Sequence, residues 1–599
     1  MEKLASLEEV LLNGGSSVNN SSDPSKTIGN ENLTCYSNAG FFSILTFSWI
    51  SPLLSLGNEK TLDHEDLPLL AADDSAYGAF TTFRNNLESE CGSDLRRVTT
   101  LKLVKVLIFS TWKGIVLSGL LEFLCTCASF VGPYLIESLV QYFNQEHKFK
   151  NEGYMLAIAF VAAKLVECLP DRHGRFNLEQ VGVRMQSMLV AMIYAKGLTL
   201  SCQSKEGYSS GEIINLMTVD AERVDELCWH MHAPWICVLK VALAMLILYK
   251  SVGVASIAAF AATVIVMLLN LPVASLQEKF QGKIMEFKDK RMKVTSEILK
   301  NMKILKLQAW EMKFLSKIFH LRKTEETLLK KFLVSSATMT CLLFNAPTFI
   351  AVVTFSACFL IGIPLESGKI LSALATFEIL QMPIYSLPDT ISMIAQTKVS
   401  FDRITSFLSL DDLQTDVVEK LPRGSSDIAI ELVNGNFSWN LSSLNTTLKN
   451  INLTVFHGMR VAVCGTVASG KSSLLSCIIG EIPKISGTLK VCGSKAYVSQ
   501  SPWVESGKIE ENILFGKEMD REKYEKVLEA CSLTKDLEVL PFGDQTIIGE
   551  KGINLSGGQK QRVQIARALY QDADIYLFDD PFSSVDAHTG SHLFRVLFI

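Results

Sequence analysis

Lys471 and Ser472 close an octet, Gly465-Thr466-Val467-Ala468-Ser469-Gly470-Lys471-Ser472, that has G-x-x-x-x-G-K-S spacing. Glycines at these positions let consecutive backbone N–H groups turn toward one centre, which suits anionic oxygens. The ammonium of Lys471 suits terminal phosphate oxygens, and the Ser472 hydroxyl suits a divalent cation such as Mg²⁺. Two elements must hold such a loop. The apolar run Val461-Ala462-Val463-Cys464 reads as a buried strand entering it. Ser473-Leu474-Leu475 reads as the start of a helix whose positive end faces the same anions. A glycine-rich turn with an unrelated lysine is the bland alternative, and the complete octet in this setting argues against it.

Four further groups narrow the chemistry. Gln500 follows the strand-like Tyr497-Val498-Ser499, and its amide suits Mg²⁺ or water beside a terminal phosphate. Leu555-Ser556-Gly557-Gly558-Gln559 opens a helix over Lys560–Tyr570 and makes a second anion site from a serine, two glycines and a helix N-terminus. Ile575-Tyr576-Leu577-Phe578 is an apolar strand ending in Asp579, the placement a Mg²⁺ carboxylate ligand requires. Ser583-Ser584-Val585-Asp586 follows directly. Upstream, the face of Trp439 offers a stacking surface for a base.

The elements around these groups belong to more than one domain. The 599 residues exceed a single core, and a hydrophobic content of 48% is high for a soluble enzyme. A net charge of −5 gives no argument for nucleic acid, and the 14 scattered cysteines read as reduced core residues. Residues 1–37 read as a disordered cytosolic tail, and residues 38–100 as an interfacial linker containing the broken apolar run 38–57. Residues 101–410 read as six membrane helices with cores near 114–143, 154–169, 233–249, 254–276, 332–362 and 369–395. The lysine-rich stretch from Glu278 to Lys331 places the long loops and both termini in the cytosol. Residues 207–224 and 303–314 have the two-faced character of docking helices, or equally of ordinary surface helices. Within the spans Glu122, Glu137, Lys164, Glu167, Lys240 and Glu378 are costly in hydrocarbon and so are functional candidates. Residues 411–428 read as a linker, and 429–599 as an α/β P-loop domain, incomplete at its C-terminal end.

Together, LSGGQ and GTVASGKSS resemble the ATP-binding cassette (ABC) transporters. TVDAERV, ILKLQAWE, YVSQSPWV and YLFDDPFSSVDAHTG resemble the C subfamily, the multidrug-resistance-associated type, in its plant branch. The resemblance implies that Trp439, Gly465 to Ser473, Gln500 and Asp579 bind ATP and Mg²⁺. It implies that Leu555 to Gln559 cover ATP held by a second cassette half. It further implies export of organic anions of the glutathione S-conjugate type across the vacuolar or plasma membrane. Asp580 departs from the pattern, because a hydrolytic site carries Glu there; the shorter side chain holds an attacking water less well. A later strand with a γ-phosphate histidine and a second membrane half are also expected of the family and lie outside these 599 residues. The main expectation is an ATP-dependent exporter half. The alternatives are a non-transporting ATP-binding regulator or inactive truncated form, and a gated channel on the same scaffold.

Overall fold

A computed structural model of the chain describes residues 36, 39–63, 66–68, 70, 75–92, 98–144, 151–201, 204, 207–414, 417–440, 446–549 and 555–598. The expected tail at 1–37 therefore lies almost wholly outside the described residues. Contacts divide the chain into two compact units: Met1–Asp94 with Val98–Met192 and Met217–Thr405, and Leu95–Arg97 with Ile193–Leu216 and Ser406–Ile599. The expected linker begins close to the second division, whereas residues 193–216 group with the second unit rather than with the helices around them.

The first unit is built from long helices. They are α1 (Thr100–Ser129) continued by α2 (Val131–Phe143), α3 (Glu152–Thr199), α4 (Ala233–Val252), α5 (Ser256–Lys300), α6 (Glu311–Ile361) and α7 (Ser367–Leu408). Among the described residues, five continuous helical segments are long and apolar enough to cross a membrane, where six membrane helices are expected. The difference lies in Ser210–Lys300, a single 91-residue segment that contains both α4 and α5. A short turn at Gly253–Ala255, with Gly253 at φ 59°, separates the two. At 1.5 Å per residue the 51 residues of α6 measure about 77 Å, more than twice a hydrocarbon core of about 30 Å. Helices of this length must continue well outside the bilayer. Pro272, Pro347, Pro383 and Pro388 lie inside continuous helices rather than at their ends. Ala244, Leu248, Ala259, Ile350, Phe377 and Ile384 form part of the unit's apolar core.

The early aromatic segment folds back on α3. Phe47 stacks on His173 at 4.6 Å between ring centroids, and Tyr36 and Trp49 pack around Phe176. The His173 ring also lies 3.1 Å from the Leu45 carbonyl. Farther along, Ser209 caps Ser210–Asn215 in a reciprocal pair with Glu212. Leu216–Asp220 then widens to a π-helical turn. Its last residue, Asp220, is fully buried; it accepts a hydrogen bond from the Ser400 hydroxyl at 2.7 Å and pairs with Arg403 at 2.9 Å. A buried carboxylate needs these partners, because desolvation otherwise penalises its charge.

The second unit has an antiparallel-rich sheet and a parallel pair. Strands β1 (Glu419–Leu421), β2 (Ile428–Phe437), β3 (Leu448–Phe456) and β4 (Lys484–Cys492) lie in the order β1-β4-β2-β3. Two short strands, β6 (Gly507–Lys508) and β7 (Ile547–Ile548), form an antiparallel clip. Before these in sequence comes β5 (Lys495–Val498), which pairs in parallel with β8 (Ile575–Phe578), Val498 facing Phe578. The expected buried strand at Val461-Ala462-Val463-Cys464 is not found. These residues adopt no strand, and Val461 and Val463 are 46% and 45% exposed. A strand exists through its ladder partners, and no described segment pairs with this run. The reduced-cysteine reading holds for Cys477 and Cys531, whose thiols burial pushes up to about 12. Cys492 is free and buried as well, but hydrogen bonding, first from His457 and then from Ser425, brings its thiol down to about 7.

Replacing Asp220 with Ala removes a buried charge and leaves Ser400 and Arg403 without their acceptor. The expected loss is about 1–3 kcal/mol of stability. Thermal unfolding of the purified protein in detergent checks this; an unchanged midpoint would show that the buried pair contributes nothing net.

Candidate nucleotide site

The site is assembled where β5 and β8 end. The backbone N–H of Asp579 continues the ladder to the Val498 carbonyl at 2.9 Å, so Asp579 leaves β8 level with the chain that leads to Gln500. In parallel sheets, ligands gather outside these carboxyl ends. Helix α8 (Lys471–Ile479) starts at Lys471, two residues earlier than the expected start at Ser473. Its second residue, Ser472, donates its hydroxyl to Asp579 Oδ1 at 2.9 Å. The first Mg²⁺ candidate pair is thus brought together across 107 positions of sequence.

The loop before α8 has the shape that phosphate oxygens require. Ala468 and Gly470 lie at φ 63° and 92°, so the backbone curls through the left-handed region twice. A Cβ on Gly465 would lie 2.7 Å from Ser469 Oγ, so any larger residue there would have to displace the Ser469 hydroxyl. Lys471 is folded onto its own loop and donates to the Gly465 carbonyl at 3.1 Å and to the Thr466 carbonyl at 2.7 Å. Val467 is almost entirely exposed at the tip. Trp439 adjoins the loop, donating its indole N–H to Ser473 Oγ at 3.1 Å while its ring packs partly against the core under β2 and β3.

Gln500 reaches Asp580, its amide nitrogen 3.4 Å from Oδ2. Asp580 sits at φ 48°, a strained backbone that aspartate tolerates better than most residues. The Tyr497 phenol, absent from the expected set, lies 3.5 Å from Asp579 Oδ2. Burial, followed by the Asp579 charge, holds this phenol above its ordinary range. Ser472, Gln500 and Asp579 are oxygen-bearing groups of the kind Mg²⁺ takes, and the loop's curled backbone offers N–H donors for phosphates, so the residues present fit both groups.

Leu555 to Gln559 occupy a different place. Leu555 is buried, and Ser556 caps helix α9 (Gly557–Tyr570) in a reciprocal capping box with Gln559. A Cβ on Gly558 would meet the Ser584 carbonyl at 2.9 Å, so the glycine allows the helix start to lie on Ser583-Ser584-Val585-Asp586. Gln559 donates to Asp536 at 3.0 Å. No hydrogen bond among the described residues joins this group to Gly465–Ser473. The structure therefore joins Trp439 and Asp579 to the loop and Gln500 to Asp580, and among the described residues no such contact reaches the LSGGQ group.

Three connecting residues escaped the sequence reading. Gln564 donates to Ser499 Oγ at 2.9 Å, and the fully buried Gln561 lies 3.4 Å from the Ser499 carbonyl. These contacts tie α9 to the residue before Gln500. Arg567, on the same helix, donates to the Asn512 and Trp503 carbonyls and sits 4.9 Å from the ring centroids of both Trp503 and Phe515. The only available signal was spacing: Gln561 and Gln564 are three apart, and so are Gln564 and Arg567, which sets them along one helix face.

Residues 115–384 match the ABC transporter transmembrane region, and residues 448–583 match the ABC transporter cassette. The chain belongs to the ABC transporter family. It is 64% identical over 592 residues to ABC transporter C family member 3 of Arabidopsis thaliana, covering 98% of this chain and 39% of that protein. It is 49% identical over 591 residues to C family member 13 of Oryza sativa subsp. japonica, 99% of this chain and 39% of the relative. It is also 49% identical over 563 residues to C family MRP4 of Zea mays, 94% of this chain and 37% of the relative. The chain thus spans about two-fifths of the length of the curated relatives it matches. Membership of the family, with its apolar helices, makes it an integral membrane protein.

If Ser472 and Asp579 share a metal, Ser472→Ala and Asp579→Asn should each weaken ATP binding about tenfold in the presence of Mg²⁺ and little in EDTA. Equilibrium binding of a fluorescent ATP analogue with and without Mg²⁺ checks this. An equal loss under both conditions would assign the two residues to loop folding alone.

Proposed function

We propose that this chain binds MgATP at Gly465–Ser473 and uses it to drive transport of an organic solute through its membrane helices. The observation that carries this reading is the 2.9 Å contact between Ser472 and Asp579 beneath a curled glycine loop. When bound, Mg²⁺ neutralises the phosphate charge that develops on cleavage. The chain's own residues do the remainder. Lys471 exchanges two loop carbonyls for phosphate oxygens, Trp439 flanks the base, and Gln500 with Asp580 orients water. Asp580 is one methylene shorter than the Glu of a hydrolytic site, and angstrom-scale misplacement of a reacting group costs about 100-fold. Hydrolysis here is therefore slow.

The serine and glycines of the LSGGQ group present a helix start, and among the described residues they share no hydrogen bond with the loop. We assign it to ATP held by a second cassette half. Closure of the two halves over nucleotide would rock the membrane helices between inward- and outward-facing forms. The cargo we assign is an organic anion of the glutathione-conjugate type, at the vacuolar or plasma membrane, with both termini cytosolic. The second reading, an ATP-binding regulator without transport, draws its support from Asp580.

Two measurements separate the readings. In inside-out vesicles the chain should show ATP-dependent uptake of a fluorescent glutathione conjugate, abolished by Lys471→Ala. Asp580→Glu should raise phosphate release about 10- to 100-fold. ATP binding without uptake would favour the regulator, and no MgATP affinity dependent on Lys471 would end both readings.

A further inference from the structure

Gln500 is assigned above to orient water, yet its side chain is exposed and its amide makes one long contact among the described residues, 3.4 Å to Asp580 Oδ2. A contact of that length is too weak to aim a flexible side chain, so the aim must come from the backbone. Polar groups on both sides hold that backbone. Ser499, directly before Gln500, donates its hydroxyl to the Ser501 carbonyl at 2.6 Å and so closes a ring across Gln500. The same hydroxyl accepts from the Gln564 amide at 2.9 Å, and the Gln561 amide lies 3.4 Å from the Ser499 carbonyl. The Ser499 hydroxyl has given its proton to Ser501, and a carbonyl has none, so both glutamines must present nitrogen. Gln564 is 7% exposed and Gln561 is fully buried. The amide oxygen of each has no hydrogen-bond partner among the described residues. A buried oxygen without a partner is destabilising. Helix α9 carries two of them at one place, and what it gains there is a pair of donors on the residue before Gln500.

We propose that Ser499 and Gln564 are positioning residues for nucleotide cleavage: the chain of hydrogen bonds from Gln564 through Ser499 to Ser501 clamps the backbone of Gln500 and so aims its amide toward Asp580. The proposal rests on the hydrolytic reading above and names what holds that site in place. A purely structural role, fastening α9 to the end of β5, predicts the opposite for stability. Gln564→Met keeps the volume of the side chain, opens the clamp and removes the unpartnered oxygen, so it should not destabilise the fold. Loss of aim by about an ångström slows the chemical step. Affinity for nucleotide is left to Lys471 and the glycine loop, which the clamp does not touch.

Phosphate release by the full chain across a range of MgATP concentrations, with thermal unfolding in detergent, tests the proposal. In Gln564→Met and in Ser499→Ala, kcat should fall about tenfold while KM stays within about twofold of wild type. The unfolding midpoint of Gln564→Met should be unchanged or higher. Ser499→Thr keeps the hydroxyl and should retain about half of the wild-type rate or more. In the double variant the two losses should coincide and not multiply, because either change opens the same clamp. Affinity for a fluorescent ATP analogue, measured without turnover, should stay within about twofold in all the variants. A kcat within about twofold of wild type in Gln564→Met would overturn the proposal, as would losses that multiply in the double variant. A fall in kcat together with a lowered unfolding midpoint would also overturn it and assign Gln564 to packing. Lys471-dependent ATP binding without phosphate release by the wild-type chain would overturn the clamp and leave the nucleotide site standing. Absence of Lys471-dependent binding would end the nucleotide reading itself, and the clamp with it.

Discussion

The hydrogen bond between Ser472 and Asp579 is the constraint from which the cassette's geometry follows. It joins the first turn of α8 to the residue that ends β8, so two elements distant in sequence share one origin. Asp579 is itself held by the ladder to Val498, which places the chain of Gln500 at the same level. Once these are aligned, the positive end of α8, the curled loop and a carboxylate converge on one volume. None of the three would bind a metal–phosphate pair alone. A helix end lacks a metal ligand, and an isolated carboxylate repels phosphate.

Helix α9 gives that volume a mechanical connection to other parts of the cassette. Its first turn rests on Ser584 through Gly558, its middle holds Ser499 through Gln561 and Gln564, and its later turns grip Asn512 and Trp503 through Arg567. Fourteen residues of helix are about 21 Å long, stiffened by continuous backbone hydrogen bonds. One continuous helix thus links Ser556 to the residue before Gln500. Burial lowers the Arg567 affinity for its proton, yet the side chain is fully engaged by carbonyls and aromatic faces, which makes it a pivot and not a free charge.

Much of this is legible in the sequence. The octet, Gln500, LSGGQ and Asp579 stand out by residue type and spacing, because phosphate and Mg²⁺ demand particular atoms at particular separations. Helix α9 ends at Tyr570 as expected but starts at Gly557, three residues before the expected Lys560, because Ser556 caps it. The failures have physical causes. Val461 to Cys464 satisfy every local criterion for a buried strand, but pairing and burial are tertiary properties, and these residues have neither. Hydropathy marks apolar runs and does not show that α4 and α5 follow one another directly across the turn at Gly253–Ala255. Tyr497 and Gln564 carry no signature in sequence, since their roles arise from what β5 and α9 place beside them.

The same logic separates the charges of the first unit. Asp220 is buried, and the fold supplies a hydroxyl and a guanidinium for it, so its charge is settled internally. Lys164 and Glu167 settle theirs within one turn of α3. Glu378 sits exposed on α7 among apolar and hydroxylic neighbours, and no ion-pair partner reaches it among the described residues.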